Sequence, residues 1–337
     1  MKHDILLAGG DADPQILRLW RAASARGLRV FPLLVGASGT PALTWDVQTG
    51  ELRTETATIS TRSAFIREDV LTHLRTGDAE ARVEAHAWWV TVGGWLLGNP
   101  GIKLVNRRQM LRAPTNKPQL LRHAGRHGLH IPRTLVTNDL REIDALLRQG
   151  SWVHKPVAGG DHCRALEAYD TPSRTLAYPY IVQERLVPPE LRLYRIGERF
   201  FAFDITSDAL DYRTSSSTVV KEVRPPSALC RPLAALADEL GLEFAAADFK
   251  SCPHTGELLF LEINSNPMLV AFDVAAGGEL VAALLDLMVG TGNDGTSSEV
   301  PSTDGMSADG ARGQSMVPPD DPRAASVPGT GHGEGVS

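Results

Sequence analysis

The sequence predicts a mixed α/β and α+β protein made of three successive units and a low-complexity tail. Three observations carry that prediction. The chain opens on a strand–helix–strand pattern (Ile5–Ala8, a helix from Pro14, Val30–Val35), the start of a parallel sheet. Later stretches alternate short apolar runs with helical patterns, and Ala245–Lys250 and Leu258–Ile263 flank the turn Pro253–Gly256 as a hairpin. From Gly290 onward Gly, Ser, Pro, Asp and Thr dominate, and such a stretch cannot bury enough apolar surface to offset its ordering entropy.

At about 100–200 residues per domain, 337 residues give two or three domains. The pattern divides them as 1–112, 113–186 and 187–290, with 291–337 as a disordered tail. In the first unit Asp13-Pro14 is an N-cap followed by a first-turn proline, and Gly27 stops the helix. Gly9-Gly10 lacks the rest of a dinucleotide fingerprint and reads as a tight turn. Trp45–Arg53 reads as a hairpin around Thr49-Gly50. Glu80–Leu97 is a long helix whose Trp88, Trp89 and Trp95 suit packing better than a ligand box. Leu104-Val105 closes the unit as a short strand.

The second unit reads as a helix over Asn116–His127 and a strand over Arg133–Val136. A helix capped by Thr137-Asn138-Asp139 follows, then strands over Trp152–Pro156 and Tyr180–Glu184. Pro188-Pro189 reads as a link. The third unit reads as strands Leu191–Ile196 and Arg199–Asp204, a helix over Pro226–Leu240, the hairpin, and a last helix over Glu279–Val289.

Composition excludes several classes. A net charge of −6 without a block of like charges leaves no basic footprint for nucleic acid. No apolar run approaches the ~20 residues of a membrane span. The start, Met1–Leu7, has no signal-peptide form. Three cysteines without metal spacing fit a reducing cytoplasm.

The densest chemistry lies in Ala247-Asp248-Phe249-Lys250 and Phe260-Leu261-Glu262-Ile263-Asn264-Ser265-Asn266-Pro267. Strand alternation puts Glu262 and Asn264 on one face, with Asp248 on the facing arm. Three oxygen ligands in a cluster suit Mg2+, which uses one or two carboxylates plus substrate phosphates. A solvated hairpin face is the plainer alternative, but a charge inside so apolar a run needs a partner. Lys155 ends a strand before the Gly159-Gly160 loop, a point charge beside an anion nest.

Ile181–Leu186 leaves one unit for the next, and its backbone edge could pair with a planar base, with Glu190 near a ribose; a plain connection is the alternative. Arg192 is a cation for a transferring phosphoryl or acyl phosphate oxygen, and Arg213 for a substrate carboxylate, with surface ion pairs as the alternative for each. His123 and His127 have a zinc-like i, i+4 spacing without a third ligand in view. Cys163 reads as a small buried residue.

Taken together, Lys155 with its glycine loop, Gln183-Glu184-Arg185-Leu186, Asp248 and Leu261–Pro267 resemble the ATP-grasp superfamily, in its branch of glutathione-synthetase-like and ribosomal-protein glutamate ligases. Asn116–Leu120, Gly128–Asn138 and Arg67-Glu68-Asp69-Val70 with the Trp88-Trp89 helix are similar to the maturases of microviridin-type peptides, the graspetides. The resemblance covers about residues 1–290. It implies a pre-ATP-grasp α/β domain, a central lid domain and a C-terminal ATP- and Mg-binding domain.

It also implies roles. Lys117 and Lys155 contact ATP phosphates, and Gly159-Gly160 closes over them. Gln183, Glu184 and Leu186 line the adenine pocket, and Glu190 holds the ribose. Arg192 stabilises the acyl phosphate. Asp248, Glu262 and Asn264 hold Mg2+, two ions, with Mn2+ as a substitute, and Asn266 sits near the reacting carboxylate.

The implied activity is ADP-forming ligation of a carboxylate, on a peptide or amino acid, to an amine or alcohol in the cytoplasm; relatives include homodimers. Rival readings are an amino-acid or small-peptide ligase and a catalytically silent nucleotide-binding protein. The tail stands outside the pattern. Deleting Thr291–Ser337 is expected to leave the melting temperature and activity almost unchanged, as a thermal melt and a turnover assay of the truncated chain will show.

Overall fold

The parallel start of the chain becomes a four-stranded sheet. Strand β1 (His3–Gly10) leads through helix α1 (Pro14–Ala25) to β2 (Val30–Val35). Asp13 caps α1, accepting from the Gln15 N–H at 2.8 Å, and Pro14 opens the helix where its missing N–H costs nothing. A short hairpin follows, β3 (Thr44–Trp45) against β4 (Leu52–Arg53). Then come β5 (Thr61–Ile66), α2 (Ala79–Gly98) and β6 (Lys103–Val105). The order is β2-β1-β5-β6, parallel throughout. The computed structural model describes residues 2–36, 40–67, 79–108, 116–157, 163–169, 173–207 and 217–290.

Strand β5 has no strong sequence signal, because Thr61 and Ser63 interrupt its apolar run. Both are buried, and their hydroxyls donate to the backbone carbonyls of Ser63 (2.8 Å) and Asp4 (2.9 Å). One face of this sheet packs Leu6, Ala8, Leu33 and Val35 against Trp88, Val92 and Trp95 of α2. Two of the three tryptophans are therefore buried core, and Trp89 packs against it.

Helix α3 (Lys117–Arg126) is capped by Asn116, whose side chain accepts from the Gln119 N–H at 3.0 Å. Strand β7 (Thr134–Asp139), helix α4 (Leu140–Leu147), strands β8 (Trp152–Pro156), β9 (Arg164–Ala165) and β10 (Thr175–Glu184) follow. They form a second sheet of order β7-β10-β8-β9, antiparallel, with α4 on one face over Trp152, Leu166 and Val182.

The third sheet has order β13-β12-β11-β14-β15, antiparallel throughout. Its members are β11 (Val187–Ile196), β12 (Arg199–Thr206), β13 (Val219–Val223), β14 (Phe244–Ser251) and β15 (Leu258–Asn264). Helix α5 (Ser227–Leu240) precedes β14; α6 (Val270–Ala275) and α7 (Glu279–Val289) follow β15.

Three expectations change. Pro188 and Pro189 belong to β11 and are not a separate link. They sit where its register against β14 shifts, between Val187 and Glu190, so the ladder loses little from their missing N–H groups. Only Arg185 and Leu186 separate the second and third sheets. Helix α3, expected with the second unit, buries Leu120, Leu121 and Ala124 in the core of the third sheet with α5. Strand β13 and helix α6 are further elements without a clear pattern in the sequence.

The opposite face of the third sheet shares its core with the first. Ile5, Leu7, Leu19 and Phe65 meet Tyr194, Phe203, Phe244, Phe272 and Leu284. Asn106 pins the seam. Its side chain donates to the carbonyls of Phe244 (2.7 Å) and Ser265 (2.8 Å) and accepts from the N–H groups of Glu243 (2.8 Å) and Phe244 (2.9 Å). Asn106→Ala strands buried backbone groups, so it is expected to destabilise by about 3 kcal/mol, read as a lower urea midpoint.

Candidate active site

The β14–β15 hairpin carries two carboxylates face to face. Asp248 pairs directly with Glu262, and the next pair is Phe249 with Phe260. Leu261 is therefore an extra residue, a β-bulge immediately before Glu262. Asn264, two residues on, shares the face of Glu262 and lies opposite Ala246. Its Nδ2 lies 3.2 Å from Asp248 Oδ2 and 3.4 Å from Glu262 Oε1. One polar atom thus stands between both carboxylates.

A cation at that point would meet two carboxylates and, with the amide turned over, Asn264 Oδ1. Among the described residues no three of His, Cys, Asp and Glu gather as a metal group. Two carboxylates plus an amide oxygen still fit Mg2+, which takes its remaining ligands from water and phosphate.

Each carboxylate also faces a cation. Arg192, on β11 directly opposite Asp248, donates from Nη1 to both carboxylate oxygens at 3.1 and 3.3 Å. Arg192 and Asp248 are almost fully buried, at 4% and 6% exposure. The guanidinium lies over the rings of Phe272 (5.1 Å) and Tyr194 (5.5 Å), and Nε reaches the Tyr194 hydroxyl at 3.2 Å. Lys117, the first residue of α3, places Nζ 3.8 Å from Glu262 Oε2. Glu190 and Lys250, one rung further along the same face, are 2.9 Å apart.

The second sheet gathers a separate set. Lys155 lies opposite Ile181, and its Nζ donates to Gln183 Oε1 at 3.2 Å. The buried Gln183 donates in turn from Nε2 to Thr134 Oγ1 at 2.9 Å. Glu184 ends β10 with its carboxylate on the Arg133 N–H at 2.9 Å, and Leu186 is buried in the two-residue connection.

Asn266 bonds to the first unit. Its Oδ1 accepts from Arg67 Nη1 at 2.8 Å and its Nδ2 donates to the Ile66 carbonyl at 3.3 Å. Gly159, Gly160 and Arg213 lie outside the described residues, as do Glu68, Asp69, Val70 and the tail 291–337. His123 and His127 do not form a zinc set: both imidazoles meet the carboxylate of Glu239 on α5, whose pKa is lowered by these contacts, that with His127 foremost. None of the three cysteines forms a disulfide.

Two charged residues of this region had no role in the sequence reading. Lys250 follows Asp248 by two positions, and that strand spacing was the available signal. Arg67, at the end of β5, bonds a residue 199 positions away, and spacing cannot reveal such a contact.

Solved structures with the same architecture share its arrangement of sheets. The ATP-grasp ligase PsnB complexed with minimal precursor superposes with a TM-score of 0.69 at 22% identity, covering 85% of this chain and 99% of that one. The chain has the ATP-grasp fold. The Chryseobacterium gregarium RiPP-associated ATP-grasp ligase, in complex with ADP and a leader and core peptide, gives 0.65 at 19% identity over 85% and 96% of the chains. The macrocyclase MdnC from Microcystis aeruginosa MRC, bound with precursor peptide MdnA, gives 0.64 at 16% over 86% and 100%. No protein-family model matches the sequence, and no curated protein matches it. Among the described residues of this ATP-grasp chain, no helix is long and apolar enough to cross a membrane.

Arg192→Met leaves Asp248 buried without its cation, and breaking a buried pair costs roughly 3–5 kcal/mol. The variant's melting temperature is expected to fall and to recover with millimolar Mg2+ more than the wild type's rises. Equal Mg2+ responses in scanning fluorimetry would argue against a cation site at Asp248.

Proposed function

We propose that this protein is an ATP-dependent, ADP-forming ligase that activates a peptide side-chain carboxylate as an acyl phosphate and passes it to an amine or alcohol. The convergence of Asp248, Glu262 and Asn264 beside Arg192 and Lys117 carries the reading. The fold places Lys155 and Gln183 one short connection away. Solved chains of like architecture are described with precursor peptides, with ADP and Mg, or with an ATP analogue, which supports a peptide carboxylate as the substrate class here.

In this reading Lys155, Gln183, Glu184 and Leu186 hold the nucleotide base and phosphates at the second sheet, with Gly159 and Gly160 as the covering loop. Glu190 holds the ribose, and Lys250 orients its carboxylate. Asp248, Glu262 and Asn264 hold Mg2+, which when bound neutralises charge on the phosphoryl oxygens. Lys117 and Arg192 supply the remaining positive charge.

The substrate carboxylate attacks the γ-phosphorus, the bond to the β-phosphate oxygen breaks, and ADP leaves. The amine or hydroxyl then attacks the acyl carbon, loses its proton, and phosphate leaves. In this reading Arg192 stabilises the oxyanion of that second step. Arg213 is the proposed clamp for the substrate carboxylate, and Asn266, bonded to Arg67, is the proposed group near that carboxylate. The units 1–112, 113–186 and 187–290 serve as the flanking, lid and metal-holding parts, with α3 of the middle span packed on the third sheet.

The reading is tested by ADP and phosphate release from ATP and Mg2+, with and without synthetic peptides bearing Asp or Glu together with Thr, Ser or Lys. Peptide-stimulated ADP release is expected in the wild type. Glu262→Ala is expected to abolish it while the circular dichroism spectrum and melting temperature stay nearly unchanged. Release of AMP and pyrophosphate would overturn the acyl-phosphate route, and an active Glu262→Ala would remove the metal assignment.

A further inference from the structure

The amide of Asn266 meets two groups of fixed polarity. Arg67 has only donors, and its Nη1 lies 2.8 Å from Oδ1. The Ile66 carbonyl can only accept, and Nδ2 lies 3.3 Å from it. Turning the amide over would set N–H against guanidinium and oxygen against carbonyl, so these neighbours allow one orientation.

Arg67 is itself held. It is 2% exposed, and its Nε donates to Asp13 Oδ2 at 2.7 Å. Asp13, 6% exposed, is fixed by its other oxygen, which caps α1. Arg67 Nη1 also reaches the backbone carbonyls of Asn266 (3.2 Å) and Pro267 (3.3 Å). One guanidinium therefore sets both the side chain and the main chain of the segment that follows Asn264.

A carboxamide has two N–H donors, and Ile66 takes one. The second has no acceptor among the described residues. Asn266 is half-buried, so this donor is not sealed in the core. We infer that Arg67, oriented by Asp13, is a positioning residue that locks the Asn266 amide so that its second Nδ2–H is offered to an anionic oxygen of the reacting carboxylate. The inference rests on the ligase reading above, in which a carboxylate is activated beside Asn266.

The test compares wild type with Asn266→Asp, Arg67→Met, Arg67→Lys and Asp13→Asn. Three quantities are read: the melting temperature without ligand, the affinity for AMPPNP with Mg2+ by calorimetry, and ADP release stimulated by the synthetic peptides. The carboxylate introduced by Asn266→Asp keeps an oxygen for Arg67 but has no N–H, so this variant is expected to lose about 100-fold in stimulated kcat. Its AMPPNP affinity is expected to stay at the wild-type level. Arg67→Met is expected to fall comparably and Arg67→Lys to recover part of the loss. Asp13→Asn retains an oxygen that caps α1 and is expected to lie between wild type and Arg67→Met, which keeps the inference testable if Arg67→Met does not fold.

Full stimulated turnover in Asn266→Asp, or in Arg67→Met and Asp13→Asn, would overturn the inference. So would losses of turnover that only track melting temperature or AMPPNP affinity. A wild type that binds no AMPPNP with Mg2+, or that no peptide stimulates, would overturn the ligase reading itself, a separate and recognisable result.

Discussion

The pairing of Arg192 with Asp248 sets the terms for the whole active face of the third sheet. Both groups lie in the middle of adjacent strands, nearly devoid of solvent, with aromatic rings over the guanidinium. An isolated charge there would cost several kcal/mol. The neighbouring rung repeats the solution, Glu190 with Lys250. The opposite face of the same strands is apolar, with Leu191 opposite Phe249 and Leu193 opposite Ala247. Strand alternation thus gives one face a ladder of opposite charges beside the core it shares with the first sheet, and the other face an apolar core of its own.

That arrangement constrains how the site can be loaded. Asp248 and Glu262 are balanced by Arg192 and Lys117, so the cluster is close to neutral as it stands. A divalent cation between the carboxylates competes with both cations and leaves an excess of positive charge. Such an excess suits a polyanion and little else, so metal and nucleotide are expected to bind more tightly together than apart. In the proposed function, Arg192 and Lys117, loosened from their carboxylates, would be available to phosphate oxygens. The same charges that balance Asp248 and Glu262 would, in the proposed function, stabilise transfer.

Much of this face was legible in the sequence, because a period of two within an apolar run identifies which residues share a side. Asp248, Glu262 and Asn264 could be grouped that way, although the bulge at Leu261 that brings Glu262 opposite Asp248 could not. Lys155 and Gln183 were visible as members of neighbouring strands. Strand β5 and strand β13 were not, since Thr61, Ser63 and Lys221 interrupt the apolar pattern and only tertiary pairing makes strands of them. His123 and His127 show the opposite failure: a metal-like spacing whose partner, Glu239, lies on another helix. Local spacing reports a shared face, and it is silent about what that face meets.

The segment between β15 and α6 is where long-range contacts decide most. Buried backbone groups need partners, and a loop has no ladder to supply them. Here the partners come largely from the first 106 residues. Asn106 takes the Ser265 carbonyl, Arg67 those of Asn266 and Pro267, and Gln15 Oε1 accepts from the N–H groups of Leu269 and Val270 at 2.7 and 2.9 Å. Tyr194, which also touches Arg192, donates its hydroxyl to the Met268 carbonyl. The first unit therefore fixes the main-chain path around Asn266, and a substitution at Gln15, Arg67 or Asn106 is expected to shift Asn266 relative to Asn264 without touching either carboxylate.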